Sequence, residues 1–205
     1  MNLLAVTKTC PGVSVREAVA AGQLDFGENY VQEAVGKIVE LADLRAQVRW
    51  HQIGPLQSNK AREVATHFDW VHAVDRMKLA QRLSDLRPPT LAPLQVCLQV
   101  NISGEDSKSG VAPEATLALA REVATLPRLK LRGLMAIPEP EGDLAAQRAP
   151  HRALRKLFEA MNADGLGLDT LSIGMSADLE AAIAEGATWV RVGTAIFGSR
   201  ATKTM

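Results

Sequence analysis

The sequence predicts a (β/α)8 barrel of the TIM type. Two observations point there: eight short apolar runs alternate with longer amphipathic ones from end to end, and several of the runs are apolar on both parities. Strands covered by helices on both faces read that way, and a repeated strand–helix alternation gives a parallel sheet. An open doubly wound sheet is the competing topology.

The strand candidates are Leu3–Lys8, Leu24–Gly27, Trp50–Gly54, Trp70–Val74, Leu94–Ile102, Leu131–Ile137, Thr170–Met175 and Trp189–Phe197. Ser14 precedes the first helix, which Gly22 stops. Asn29 can cap a helix through Glu40, and Ser58 one over Asn59–Thr66. Pro113 and Glu114 open a run to Ala124, and Pro150 kinks or delays a helix ending at Asn162. Ser176 and Asp178 stand before Leu179–Ala184. No internal linker or repeat interrupts the pattern, so residues 1–205 read as one domain. The first run begins at Leu3, and the sequence ends a few residues after the last, at Ala201–Met205, which leaves one sector of the wall without a helix. That sector is expected to mark a truncated chain or a partner-binding surface.

Composition narrows the function. The 205 residues carry 23 Lys+Arg against 23 Asp+Glu, so the footprint of a nucleic-acid or membrane-surface protein is missing. No apolar run is long enough to span a bilayer, nothing at the start reads as a signal peptide, and two cysteines make no disulfide framework. The expected location is the cytoplasm. The four histidines lack ligand spacing, and no metal is expected. His51 reads as a hydrogen-bonded residue of the mouth, Cys10 as a small residue in a surface loop, and Cys97 as core.

Barrel active sites lie at the C-terminal ends of the strands, and phosphate often binds after strands seven and eight. Lys8 ends the first strand and shares parity with Leu4 and Val6, so it points toward the barrel mouth. A desolvated lysine there can form an imine with a carbonyl, although a solvated lysine would read the same. Ser176 offers a hydroxyl at a helix start, as an anion-binding residue or as an ordinary N-cap. Gly193 permits close backbone approach and Thr194 adds a second hydroxyl. Arg191 shares the parity of Gly193 and points inward, either toward a ligand or into a structural pair with an acid. An imine-forming lysine with a phosphate cradle suggests one ligand bearing both an aldehyde and a phosphate. Pyridoxal 5'-phosphate fits; a sugar phosphate fits less well.

Ala5-Val6-Thr7-Lys8-Thr9, Phe26-Gly27-Glu28-Asn29-Tyr30 and the run from Trp50 to Lys60 resemble the pyridoxal-phosphate homeostasis protein family. So do Asn101-Ile102-Ser103 with Ser107-Lys108-Ser109-Gly110, the stretch Arg132–Pro138, Ser172-Ile173-Gly174-Met175-Ser176, and Arg191–Gly198. The resemblance runs from Leu3 to Gly198 in the family's order, and the family is similar in fold to the barrel of alanine racemase, fold type III. It implies that Lys8 carries pyridoxal phosphate as a Schiff base, that Ser176, Gly193 and Thr194 bind the phosphate, and that Arg191 faces the pyridine nitrogen. Asn29 matches a position near the ring, and Met175 a backbone contact. It further implies a non-catalytic role in vitamin B6 homeostasis, serving pyridoxal-phosphate-dependent client enzymes. The expected state is a monomer, with a dimer through the bare sector as the alternative. Relatives carry a helix before the first strand that this sequence lacks. A fold type III amino-acid racemase, or a Schiff-base aldolase, is the alternative activity; a two-base racemase needs a second acid–base group, and the one tyrosine, Tyr30, sits just inside a helix.

Overall fold

In a computed structural model, which describes residues 1–104, 109–139 and 142–198, eight parallel strands close into a barrel in sequence order. They are β1 (Asn2–Val6), β2 (Asp25–Glu28), β3 (Arg49–Gln52), β4 (Trp70–Val74), β5 (Leu94–Gln99), β6 (Leu129–Met135), β7 (Thr170–Ser172) and β8 (Trp189–Val192). Closure comes from β1 lying beside β8, with Asn2 to Ala5 opposite Trp189 to Val192. The helices are α1 (Gly12–Ala20), α2 (Val31–Glu40), α3 (Ala61–His67), α4 (Met77–Leu86), α5 (Pro113–Ala124), α6 (Leu144–Ala163), α7 (Leu179–Ala184) and α8 (Thr194–Phe197).

The two parities of each strand build two different interiors. One set of side chains, including Phe26, Val71, Leu98 and Leu134, packs outward against the helices in a single large core. The other set fills the barrel. Leu4, Val6, Ile53 and Trp189 cluster on one side, and Trp70, Cys97 and Met135 on another. Glycine is required where β6 meets β7: a Cβ on Gly133 would lie 1.8 Å from the Thr170 carbonyl oxygen.

Several boundaries differ from the expectation. β1 stops at Val6, β7 at Ser172 and β8 at Val192, although their inward parity continues to Lys8, Gly174 and Gly193. The ladder ends where the mouth widens, while apolar patterning persists one turn further. Thr194–Phe197, expected as strand, is the helical turn α8, so a short helix does follow β8. Neither Ser14 nor Asn29 caps a helix; α1 follows Pro11 and α2 follows Tyr30. Ser58 begins a 3-10 turn ahead of α3. α6 opens at Leu144, capped by the Asp143 carboxylate on the Ala146 N–H, and runs through Pro150 rather than being delayed by it. α4, with no start signal read for it, is an amphipathic helix burying Leu79, Ala80 and Leu83. Cys10 is buried, not a surface-loop residue. The Ser107-Lys108 portion of the family resemblance and the stretch at 201–205 lie outside the described residues.

Candidate functional site

One cavity of about 300 Å³ opens at the C-terminal ends of the strands. A single small ligand needs a space of this size. Lys8, Asn29, Met175, Ser176, Arg191, Gly193 and Thr194 all line it, together with the apolar Val6, Ile53 and Ile137. Lys8 and Arg191 are the two titratable side chains among those lining residues.

The loop carrying Lys8 is held from both sides. Thr9 has φ of 62°, a left-handed conformation costly for a β-branched residue. Its N–H donates to Glu33 Oε1 at 2.5 Å. On the other side, Thr7 Oγ1 donates to Glu28 Oε1 at 2.6 Å, and the buried Lys37 ammonium donates to the Thr7 carbonyl at 2.7 Å. Lys37 also donates to Glu28 and Glu33. Burial raises the Glu28 carboxyl above its ordinary value, against the pull of Lys37 and the Thr7 hydroxyl. The side chains of Thr7, Glu28, Glu33 and Lys37 thus fix the backbone flanking Lys8, and none was singled out from the sequence. Their signal was present: Glu33 and Lys37 stand four apart on α2, as a helical ion pair requires.

The opposite wall is built by the loop after β7. Gly174 adopts φ of 89°, and a Cβ there would meet the Ala182 side chain at 2.5 Å. Asp178 then folds back: its Oδ1 accepts from the Met175 N–H at 2.7 Å, and its Oδ2 lies 2.9 Å from His151 Nε2. Burial alone would raise the Asp178 carboxyl, but these hydrogen bonds hold it below its ordinary value. Asp178, not Ser176, is therefore the residue at the start of α7. That leaves the exposed Ser176 hydroxyl without a protein partner, as are the Thr194 hydroxyl and Lys8 Nζ among the described residues. In α8 the Ile196 and Phe197 N–H groups donate to the Gly193 carbonyl, while those of Thr194 and Ala195, at its start, have no acceptor within the turn.

Arg191 is buried between these walls. Its guanidinium donates to the Ser172 carbonyl at 2.6 Å, the Ser172 hydroxyl at 3.0 Å and the Ala136 carbonyl at 2.9 Å. The expected alternative, a structural pair with an acid, is not what the fold supplies: its partners are neutral. Burial lowers the guanidinium to about 10, with Asp178 pulling the other way, so it remains charged at neutral pH. Lined by amine, guanidinium and hydroxyl groups and by no carboxylate, the cavity suits a ligand that brings acceptors and negative charge.

The alanine racemase N-terminal domain family matches residues 1–201. A pyridoxal phosphate homeostasis protein of Pseudomonas aeruginosa is 65% identical over 200 residues, covering 98% of this chain and 85% of the relative. One from Escherichia coli is 54% identical over 201 residues, covering 98% and 86%. The chain belongs to this family. Among solved structures, PipY of Synechococcus elongatus with pyridoxal phosphate bound aligns with a TM-score of 0.89 and 42% identity, covering 97% of this chain and 92% of PipY. The closed parallel barrel is thus the family's fold. Among the described residues, no helix is long and apolar enough to cross a membrane.

Proposed function

We propose that this protein binds pyridoxal 5'-phosphate as a Schiff base on Lys8 and takes part in vitamin B6 homeostasis without catalysing a reaction of its own. The observation that carries the reading is the single cavity that gathers Lys8 Nζ, Arg191 and the two free hydroxyls of Ser176 and Thr194. Close relatives bearing the homeostasis name, and PipY with the cofactor bound, support it.

Bound there, pyridoxal phosphate would supply a reactive aldehyde and an electron-withdrawing ring. The Lys8 amine would hold it through the aldehyde carbon, with the carbonyl oxygen released as water. Ser176, Gly193 and Thr194 would take the phosphate, using hydroxyls and backbone N–H groups. Asn29 would face the ring and Met175 would contribute a backbone contact, both lining the same cavity. Arg191, already donating to Ser172 and Ala136, can only donate toward a ring nitrogen. An unprotonated ring nitrogen withdraws electrons poorly, which weighs against demanding carbanion chemistry. A two-base racemase needs an acid–base group opposite the lysine, and the cavity lining offers none beyond Lys8 and Arg191. Tyr30 stands 56% exposed and outside that lining. Acting as one domain and as a monomer in the cytoplasm, the protein would deliver the cofactor to client enzymes.

The test is to load the purified protein with pyridoxal phosphate, reduce with borohydride and map the labelled peptide by mass. One adduct on Lys8, unaffected by added amino acids, supports the reading. Scattered labelling, or an adduct that turns over with amino acids or sugar phosphates, overturns it.

A further inference from the structure

Behind Arg191, a line of polar side chains runs down the barrel interior, where apolar filling is the rule. Ser172 Oγ lies 3.0 Å from Arg191 Nη1 and 2.8 Å from His72 Nδ1. That second contact joins β7 to β4, strands on opposing walls of the barrel, across its axis. His72 Nε2 lies 3.0 Å from His51 Nδ1, and His51 Nε2 lies 3.1 Å from Asp25 Oδ1. Arg49, half exposed at the other end of the barrel, closes the line with two hydrogen bonds to the Asp25 carboxylate. Both imidazoles and Ser172 are fully buried, with Trp70 stacked on His51.

The line has one direction. Burial would raise Asp25, yet the hydrogen bonds from Arg49 and His51 hold it below its ordinary value, so it is ionised and can only accept. His51 must then carry its proton on Nε2, because burial favours the neutral ring over the imidazolium. Its Nδ1 is left to accept, so His72 carries its proton on Nε2 as well. His72 Nδ1 in turn accepts from the Ser172 hydroxyl, whose oxygen accepts from Arg191. From Arg191 to Asp25 every donor points away from the ligand cavity, and each hydrogen bond polarises the next.

We propose that Asp25, His51, His72 and Ser172 form a one-way hydrogen-bonded chain that positions Arg191 toward the ligand. This rests on reading the cavity as the pyridoxal-phosphate site. The four are positioning residues, acting only through Arg191. The chain explains why polar groups occupy this interior: unconnected, each would carry the cost of an unsatisfied buried group. It also leaves no carboxylate in the cavity to repel a phosphate, because the acid of the line, Asp25, lies at the far end paired with Arg49.

Two measurements decide it. Imidazole ¹⁵N NMR of the ligand-free protein at neutral pH is expected to show His51 and His72 both neutral and both Nε2–H tautomers. An Nδ1–H tautomer or an imidazolium at either position overturns the chain. Separately, wild type, Ser172→Ala, Ser172→Thr and His72→Asn are loaded with pyridoxal phosphate and reduced. Label is expected on Lys8 throughout, while the absorbance maximum of the bound chromophore shifts and retention on dialysis falls about tenfold in Ser172→Ala and His72→Asn. Ser172→Thr, which keeps the hydroxyl, restores both. Wild-type spectrum and retention in Ser172→Ala, with Lys8 labelled, overturn the inference and spare the cofactor site. Failure of the wild type to label at Lys8 instead overturns the cofactor reading, and the ligand-free NMR still decides the chain.

Discussion

Two neutral histidines sealed in a barrel make stability depend on pH in a calculable way. Burial lowers both His51 and His72, and the nearby Arg191 charge lowers His72 further. In the unfolded chain each returns to about 6.5. A group whose folded pKa is depressed contributes stability above its unfolded value and loses it as pH falls toward the folded one, because unfolding then takes up a proton. For each histidine that stays neutral when folded, lowering the pH from about 7.5 to about 5.5 removes about 1.4 kcal/mol, hence about 2.7 kcal/mol for the pair. Carboxylates titrate mostly below this window. Urea unfolding followed by tryptophan fluorescence measures the change, since Trp70 and Trp189 both lie against His51. The decisive comparison is His72→Asn with wild type. The variant is less stable at every pH, but its loss between the two pH values should be smaller by about 1.4 kcal/mol. Parallel curves for the two proteins would refute the claim that His72 is neutral in the folded barrel.

Other expectations concern the loops and the strand contact. Lys37→Met strands Glu28 as a buried unpaired carboxylate and should destabilise by about 3 kcal/mol or more in urea unfolding, with part recovered in the Lys37→Met, Glu28→Gln double variant. Asp178→Ala frees the Met175 N–H and the His151 ring, so stability at neutral pH should fall by about 1–2 kcal/mol and pyridoxal phosphate should dissociate faster on dialysis. Because the Asp178 carboxyl is held low, that difference should shrink as pH drops through its folded value, which a repeat of the unfolding series in acid checks. Gly133→Ala forces β6 from β7 and should cost about 3 kcal/mol or prevent folding, read by thermal melting.

The barrel was readable because its strands are short, apolar on both parities and separated by helices, and closure follows once eight such units are present. The cavity was readable too: strand-end position and parity identified Lys8, Ser176, Arg191, Gly193 and Thr194 residue by residue, and all of them line one space. The inner chain was not, and the reason is geometric. Asp25, His51, His72, Ser172 and Arg191 each sit on inward parity, a signal within one strand. Which of them meet depends on the stagger between strands and on contacts across the axis, such as His72 with Ser172, and no strand pattern carries that. The histidines consequently read as scattered, whereas the fold brings two of them within 3.0 Å. Inward parity likewise left open whether Arg191 meets an acid, because its partners, Ser172 and the Ala136 carbonyl, come from other strand ends. The Lys8 clamp escaped notice because Thr7 and Glu28 come from adjacent strands whose side chains meet only at the mouth.

The pairing of β1 with β8 has a consequence for synthesis and quality control. Lys8 lies just after β1, and Arg191, Gly193 and Thr194 lie in or just after β8, yet they share one cavity because these two strands are neighbours. Closing a loop of that length comes late in folding, so the complete site forms only once the ring has shut. A ligand that bridges this seam binds only the closed form and stabilises it by mass action. Ribosome-bound chains still missing β8 should neither capture it nor be protected by it from proteolysis.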